Sequence, residues 1–359
     1  MEPGRALFLS CGHSPRACLP FSLITLTLAI AAGLGTIACS SGESVSPDIP
    51  AAFTRDAAQG GRDILDTQAR LRVRIAGPRG EDGGRETRAQ DWWLIRRLDI
   101  FIFEDDGLGT LDAYIREDRD SPSEVEIHCA GGDKVVVAVA NARFTEETVT
   151  GILCYEDLRK IVACLTEDLP QYPLMSGETS FAAGTGRDCE IVLEPMMSVV
   201  ELKSLRFRMP GARLTDVRVY LTGVSNRAEL LRPAGFLPSE TLNNGGLSET
   251  DLGRLPYSGM VYSYLGNGKE EGDGTVYPGA SLYCYPNQAR EESFASPFTR
   301  LVVEGLLDGK RCCYPIPVNR DLYGSGKDGG IGRNSRYVYE LTLTRAGTES
   351  PDDITLFGP

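Results

Sequence analysis

Only two histidines occur in the chain, His13 and His128, so any reaction that needs an imidazole has very few groups to draw on. A Ser-His-Asp triad, a two-histidine zinc site and a facial-triad iron site all need one or two of them. His13 falls in a segment with the character of an export signal. His128 closes an alternating run with Val125 and Ile127, which reads as a plain strand residue. The composition therefore tilts against an enzyme. Carboxylate chemistry survives this filter, because glycoside hydrolysis needs only two acidic side chains. Its candidates are Glu104, Asp105 and Asp106, and the pair Glu270 and Glu271, yet each group sits in a turn, where solvated charge is the simpler reading. No stretch completes the D-x-D-x-D-G pattern of a calcium loop, and no metal is expected. The stretch GSGKDG from Gly324 matches G-x-G-x-x-G but lies between polar turns instead of between a strand and a helix. No nucleotide and no other cofactor is expected.

Seven cysteines follow Cys39, an odd number with no C-x-x-C spacing, so at least one thiol stays unpaired within the chain and zinc-ribbon or thioredoxin chemistry has no support. They read as small core residues. Cys154 and Cys164 are spaced for one helix face, while the adjacent Cys312 and Cys313 point to opposite faces of a strand and cannot bond without strain. Tyr257, Tyr262, Tyr264 and Tyr277 are a candidate sugar-stacking surface, against the plainer reading that they cover a sheet edge or pack in the core. With 37 basic and 50 acidic residues the net charge is −13, which is wrong for a partner bound by phosphate neutralisation. Nucleic acid is not expected.

The N-terminus indicates place. Leu19 to Ala38 carries no charge, Arg5 and Arg16 precede it, and Cys39 follows at once with a polar stretch. This is the pattern of a bacterial lipoprotein signal, with Cys39 as the acylated residue, although Thr36 stands where Leu is usual. Residues 1–38 are read as the signal peptide. Residues 39–68, rich in Ser, Pro, Ala and Asp, form a flexible tether that holds a lipid-anchored body away from an outer-membrane surface.

The elements beyond the tether are mostly short strands. Leu71, Val73 and Ile75 alternate with Arg72 and Arg74, and Gly77 and Pro78 end the run. LIRRLDIFIFE gives a second strand, and KVVVAVANA from Lys134 is apolar throughout, as a strand buried on both faces should be. Thr145 to about Leu165 has apolar residues at near-helical spacing with Glu146 and Glu147 at its start, which predicts one helix. After Pro195 the apolar runs read as strands separated by turns, with no comparable helix. The expected fold class is mainly β: two β-sandwich domains in series, 69–195 and 196–359, with one helix in the first.

Five segments in combination resemble one family: LDIFIFEDDG at Leu98, YPLMSGE at Tyr172, LYCYPN at Leu282, RLVVEG at Arg300 and RNSRYVYELTLTRAG at Arg333. Their order and spacing over most of the chain from Leu71 are similar to the fimbrillin-like superfamily of Bacteroidales, especially the FimB-type minor fimbrial subunits and anchor lipoproteins. The resemblance implies two transthyretin-like (Greek-key) sandwiches, secretion, lipid modification and a place in a fimbrium at the cell outer membrane. It also implies assembly with other fimbrial subunits by strand exchange, in which a C-terminal strand of one subunit fills a groove in the N-terminal domain of another. An unpaired sheet edge beside an apolar groove is a template for such a strand.

On this resemblance Leu71, Val73 and Ile75 belong to the first strand, whose removal by an arginine-specific protease opens the groove in shaft subunits. Arg70, Arg72, Arg74 and Arg79 are the candidate cuts. Ile354, Leu356 and Phe357 belong to the candidate donor segment, which is shorter than a usual strand. That shortness favours a terminal subunit over a repeating one. A non-enzymatic lipid-anchored minor subunit is the first reading, and a tip adhesin that binds host or bacterial surface glycans or proteins is the alternative. A hydrolase using two carboxylates is the third, with nothing in the sequence to organise the pair.

Overall fold

The computed structural model describes residues 69–76, 94–182, 188–231, 240–320 and 329–352. The signal and tether, Cys39, Arg79, the start of the loop at Gly324, and Ile354, Leu356 and Phe357 lie outside the described residues.

Alternation of apolar and charged residues builds the first pair of sheets. In β1 (Ala69–Ala76) Leu71 and Val73 are buried, and the arginines between them face outward. β2 (Leu98–Glu104) and β3 (Leu111–Glu117) form a hairpin, followed by β4 (Glu124–Cys129), where Val125 and Ile127 face in while Glu124, Glu126 and His128 face out. β5 (Asp133–Ala140) is apolar on both faces, as its composition predicts. It pairs with β2 in the middle of a five-stranded sheet, ordered β3-β2-β5-β7-β9, whose last members are β7 (Met175–Ala182) and β9 (Glu194–Pro195). Opposite lies a three-stranded sheet, β4-β1-β8, completed by β8 (Asp188–Val192). Leu98, Ile100, Ile102, Val136 and Ala138 from the first sheet pack against Leu71, Val73, Val125, Ile127 and Ile191 from the second. The sheets approach closely at Gly177, where an added Cβ would stand 2.1 Å from the Val192 carbonyl oxygen.

The helix expected from Thr145 to Leu165 is not one helix. It is α1 (Glu146–Thr150), α2 (Tyr155–Arg159) and a strand, β6 (Val162–Cys164). Thr145 caps α1 through its hydroxyl, Gly151 ends it, and the Asp157 carboxylate accepts the Leu153 and Cys154 amides to start α2 afresh. β-Branched Thr148, Val149 and Thr150 give α1 little intrinsic reason to continue. The apolar positions still serve burial, for Phe144, Ile152 and Leu158 cover the outer face of β2 and β5 at Phe101, Phe103, Val137 and Val139. Cys154 and Cys164, expected to face the core, are half-exposed, whereas Cys129, Cys189, Cys284, Cys312 and Cys313 are buried, and none of the seven forms a disulfide.

A second pair of sheets follows directly. Its first sheet centres on β10 (Ser198–Phe207). β11 (Leu214–Thr222), the short β12 (Val224–Ser225) and β13 (Arg227–Glu229), and then β14 (Thr241–Leu242) come next. α3 (Glu249–Arg254), one residue longer than either earlier helix and unexpected from the sequence, precedes β15 (Tyr262–Gly266), β16 (Lys269–Glu271), β17 (Gly274–Tyr277) and β18 (Ala280–Cys284). β19 (Arg300–Leu307), β20 (Lys310–Pro317) and β21 (Arg336–Leu343) end the described strands. β10 is paired by β17 and β18 on one side and β21 on the other; β15-β11-β19-β20 forms the facing sheet. Val200, Leu202, Leu205 and Phe207 meet Val217, Val219, Leu221, Leu301 and Val303 between them. Each pair of sheets contains one parallel contact, β1 with β8 and β10 with β21.

The two pairs of sheets are laced together. β6 pairs with β13, Leu165 joins the second core, and Leu230 and Leu231 join the layer over β2 and β5. On the outer face of the second pair, Glu304 is 2% exposed and is ringed by Arg218, Arg311 and the Tyr220 hydroxyl. Burial would push this carboxyl up, but hydrogen bonds from those three groups hold it down at about 2.

Candidate strand-exchange site

β1 is held on both edges. It runs antiparallel to β4, with Leu71 opposite Ile127 and Val73 opposite Val125, and parallel to β8, with Val73 opposite Cys189 and Ile75 opposite Ile191. Leu71 is 1% and Val73 0% exposed. Burying each contributes roughly 1.5–3 kcal/mol. The inner face of β1 is thus a row of apolar side chains filling a slot floored by Ile100, Ile102, Val136 and Ala138.

The outer face is a ladder of charge across three strands. Arg72 lies 3.0 Å from Glu124, 3.6 Å from Glu126 and 3.8 Å from Asp188, Arg74 is 3.1 Å from Asp188, and Arg70 is 3.5 Å from Glu126. These exposed pairs fix register more than they add stability, at about 0–1 kcal/mol each. Of the predicted site residues, the structure brings together Arg70, Leu71, Arg72, Val73, Arg74 and Ile75 in this one strand. Arg72 and Arg74 lie in backbone paired on both sides and Arg70 in backbone paired with β4, so a protease meets those peptide bonds only when β1 leaves its slot. Around the slot, burial pushes the Cys189 thiol up to about 11 and raises Cys129 as well, which keeps both neutral.

The other sequence candidates disperse. Glu104 pairs with Lys134, and Asp106 accepts the Leu108 and Gly109 amides in its turn. Glu270 and Glu271 lie exposed in β16. No cluster of three or more metal-ligating side chains exists among the described residues. Tyr257 and Tyr264 are exposed, whereas Tyr277 and Tyr285 are buried with their hydroxyls on the Leu214 carbonyl and on Asp168. The tyrosine segment is therefore no continuous stacking face.

Sequence reasoning missed the junction between the sheet pairs, where residues far apart in the chain meet. The Arg333 guanidinium, just before β21, donates to the carbonyl oxygens of Ser176, Glu194, Pro195 and Leu230 and to the Ser176 hydroxyl. Burial pulls its pKa down to about 10, still charged at neutral pH. Nearby, Asp168 accepts the Leu169 and Leu174 amides and the Tyr285 hydroxyl at the base of a cleft of about 320 Å³. Arg143 and Arg96 stand at its walls, Arg96 stacked 3.9 Å from the Tyr172 ring centroid.

Burial pushes the Asp168 carboxyl up to about 6, against the pull of its three donors. The native state therefore keeps this proton up to about pH 6, while the unfolded chain loses it near the ordinary 3.8. Its contribution to stability is complete below 3.8 and lost as pH rises through about 6. Asp168→Asn, which keeps an acceptor for the two amides, is expected to abolish this loss. Thermal melts at pH 4.5 and 7.5 should show a wild-type decline on alkalinisation that the variant lacks, and an identical decline in both proteins would refute the assignment.

Two sandwiched pairs of sheets, the first closed by a strand inserted between two others, define a two-part β-sandwich fold. Solved structures share this fold. A candidate cell adhesion protein from Bacteroides eggerthii matches with a TM-score of 0.56 at 16% identity, over 82% of this chain and 94% of that one. A fimbrilin, FimA, from Porphyromonas gingivalis matches with a TM-score of 0.56 at 15% identity, over 80% of this chain and 94% of that one. A candidate cell adhesion protein from Parabacteroides distasonis gives 0.51 at 16% identity, over 80% and 95%. No family model and no curated protein matches the sequence.

Proposed function

We propose that this chain is a non-enzymatic subunit of a surface fimbrium that joins its neighbours by β-strand exchange at the β1 slot. The observation that carries the reading is the seat of β1. A strand bonded on both edges over an apolar floor is at once a plug and a template, because its departure leaves two unpaired edges and an uncovered core for another strand to satisfy. The fold shared with a fimbrilin and with candidate adhesion proteins agrees with this role. In this reading β1–β9 and β10–β21 are two transthyretin-like domains that meet near Pro195.

Within that role the chain is a FimB-type anchor or minor subunit, acylated at Cys39 at the outer membrane, with β1 retained. The experiment is intact mass and peptide mapping of the protein extracted from native membranes. A diacylglyceryl mass on Cys39 with residues 40–76 intact is the expected result. A terminus after an arginine between Arg70 and Arg79 without lipid would overturn the anchor assignment in favour of a polymerising or tip subunit.

The tip-adhesin alternative has one structural observation in its favour, the open cleft where Arg96 and Tyr172 stack beside Arg143. A guanidinium and an aromatic ring beside a second guanidinium suit an acidic saccharide. Silence of folded protein on a glycan array that includes acidic sugars would remove this reading.

A further inference from the structure

β21 is an eight-residue strand that pairs with β10 and, among the described residues, with nothing on its other side. A long edge normally carries a proline, a bulge or a cover that prevents further pairing. β20 shows such protection. It contains Pro315 and Pro317, and the chain beyond β21 lies antiparallel along it, with Cys313 and Thr348 exchanging both backbone hydrogen bonds at 2.8 Å. Gly347 permits that approach, since a Cβ there would stand 2.2 Å from the Cys313 carbonyl oxygen. Among the described residues β21, Arg-Tyr-Val-Tyr-Glu-Leu-Thr-Leu, carries no proline and no cover, and the irregularity in its pairing puts the extra residue, Lys203, in β10.

The backbone bonds to β10 define which groups look outward. The Val199 amide donates to the Ser335 carbonyl and the Arg208 amide to the Leu343 carbonyl, so odd-numbered residues of this strand face β10. In a parallel ladder the alternate residues direct both N–H and C=O to the other side, here those of Arg336, Val338, Glu340 and Thr342. The same four side chains lie on the exposed face of the sheet, with Val338 50% exposed, while Tyr337, Tyr339 and Leu341 pack against the second core.

We propose that the β21 edge is a self-complementary interface that pairs antiparallel with β21 of a second copy of this chain, about a two-fold axis at Val338. In this register Val338 faces Val338 of the second copy and Arg336 faces Glu340 of the second copy, twice by symmetry. Every one of these positions presents its outward N–H and C=O, so the facing residues exchange backbone hydrogen bonds directly. No other two-fold register of the four residues sets Arg336 against Glu340. Within one chain Arg336 already bonds to Glu201, and Lys203 stands 2.6 Å from Glu340. The seam therefore reads Glu201, Arg336, Glu340 of the second copy and Lys203 of the second copy, alternating in sign across four strands. On the other face Tyr337 comes beside Tyr339 of the second copy and carries the apolar layer across the axis. Because a two-fold pairing closes on itself, it yields a pair of chains and is independent of exchange at β1.

The test is light scattering of the full chain in detergent at tens of micromolar, with two variants. Val338→Pro removes an N–H that makes no bond to β10, at an edge position where proline is tolerated, so the fold is retained and pairing is lost. Val338→Cys places two thiols across the axis. Twice the chain mass for wild type, one chain mass for Val338→Pro with an unchanged far-ultraviolet spectrum, and a majority of disulfide-linked dimer for Val338→Cys under mild oxidation are expected. A wild-type monomer, a dimer untouched by Val338→Pro, or a Val338→Cys chain that links only to other proteins would each overturn the proposal.

Discussion

Val73→Asp is expected to lower the melting temperature by about 10 °C or more, the largest effect of any single change in β1. Val73 is fully buried in an apolar cluster, with Val125 and Cys189 as its lateral neighbours. A carboxylate there loses its hydration with nothing to replace it, at a cost on the order of 5 kcal/mol or more. Arg72→Gln, one position away on the outer face, should change stability by no more than about 0.5 kcal/mol. The contrast measures how far the inner and outer faces differ. If β1 is the plug of an exchangeable slot, a synthetic peptide of residues 69–76 added to Val73→Asp should raise its melting temperature, while leaving wild type untouched. A Val73→Asp protein as stable as wild type would mean that β1 is not seated in the sheet.

The second large effect is expected at Arg333. Truncation to alanine removes the guanidinium that donates to the carbonyls of Ser176, Glu194, Pro195 and Leu230 at a buried junction, where the Leu230 carbonyl keeps the Ser176 hydroxyl as a donor. Hydrogen bonds to a charged group are worth roughly 1.5–3 kcal/mol each and are not additive, so a loss of about 3–5 kcal/mol is expected. Arg333→Lys should recover only part of it, because an ammonium cannot present the planar fork that reaches several carbonyls at once. Calorimetry should also separate one transition into two, since this side chain ties β7 and β9 of the first pair of sheets to the approach of β21 in the second. A single unbroken transition with full stability in Arg333→Ala would show that the remaining lacing through β6, β13 and Leu230 is enough.

In the proposed role of a fimbrial subunit, these two sites divide the labour. The slot at β1 depends on the burial of an apolar strand face, whereas the junction depends on polar groups that are satisfied only when both pairs of sheets are in place. Buried thiols add nothing reactive to either, because burial pushes Cys284 and Cys313 up to about 12.

Much of this organisation is legible in local residue patterns. Alternation in Leu71–Ile75 and Glu124–Cys129, and the unbroken apolar run of β5, specify strands and their buried faces, because side-chain direction along a strand has a period of two whatever the neighbours are. The scarcity of histidine likewise restricts the chemistry before any fold is known. Local pattern failed where it met a different physical constraint. Apolar spacing from Thr145 to Leu165 is near-helical, but a glycine stop and the Asp157 cap divide it into two helices and a strand. The tyrosines from Tyr257 to Tyr285 share a sequence segment, but the sheet fold sends Tyr277 and Tyr285 into the core and Tyr257 and Tyr264 to the surface.

What pairs with what was decided by tertiary structure alone. Nothing in Leu71–Ile75 says that β8, more than a hundred residues later, lies parallel to it, and nothing around Arg333 announces four carbonyls drawn from β7, β9 and the segment after β13. Hydrogen-bond partners across such distances depend on which edges remain unpaired once the cores have formed. The residues that could be strands, and the face each would bury, were set by period and side-chain chemistry. Which strand came to lie between two others, which edge stayed open and which arginine became a clasp followed only from packing the sheets together.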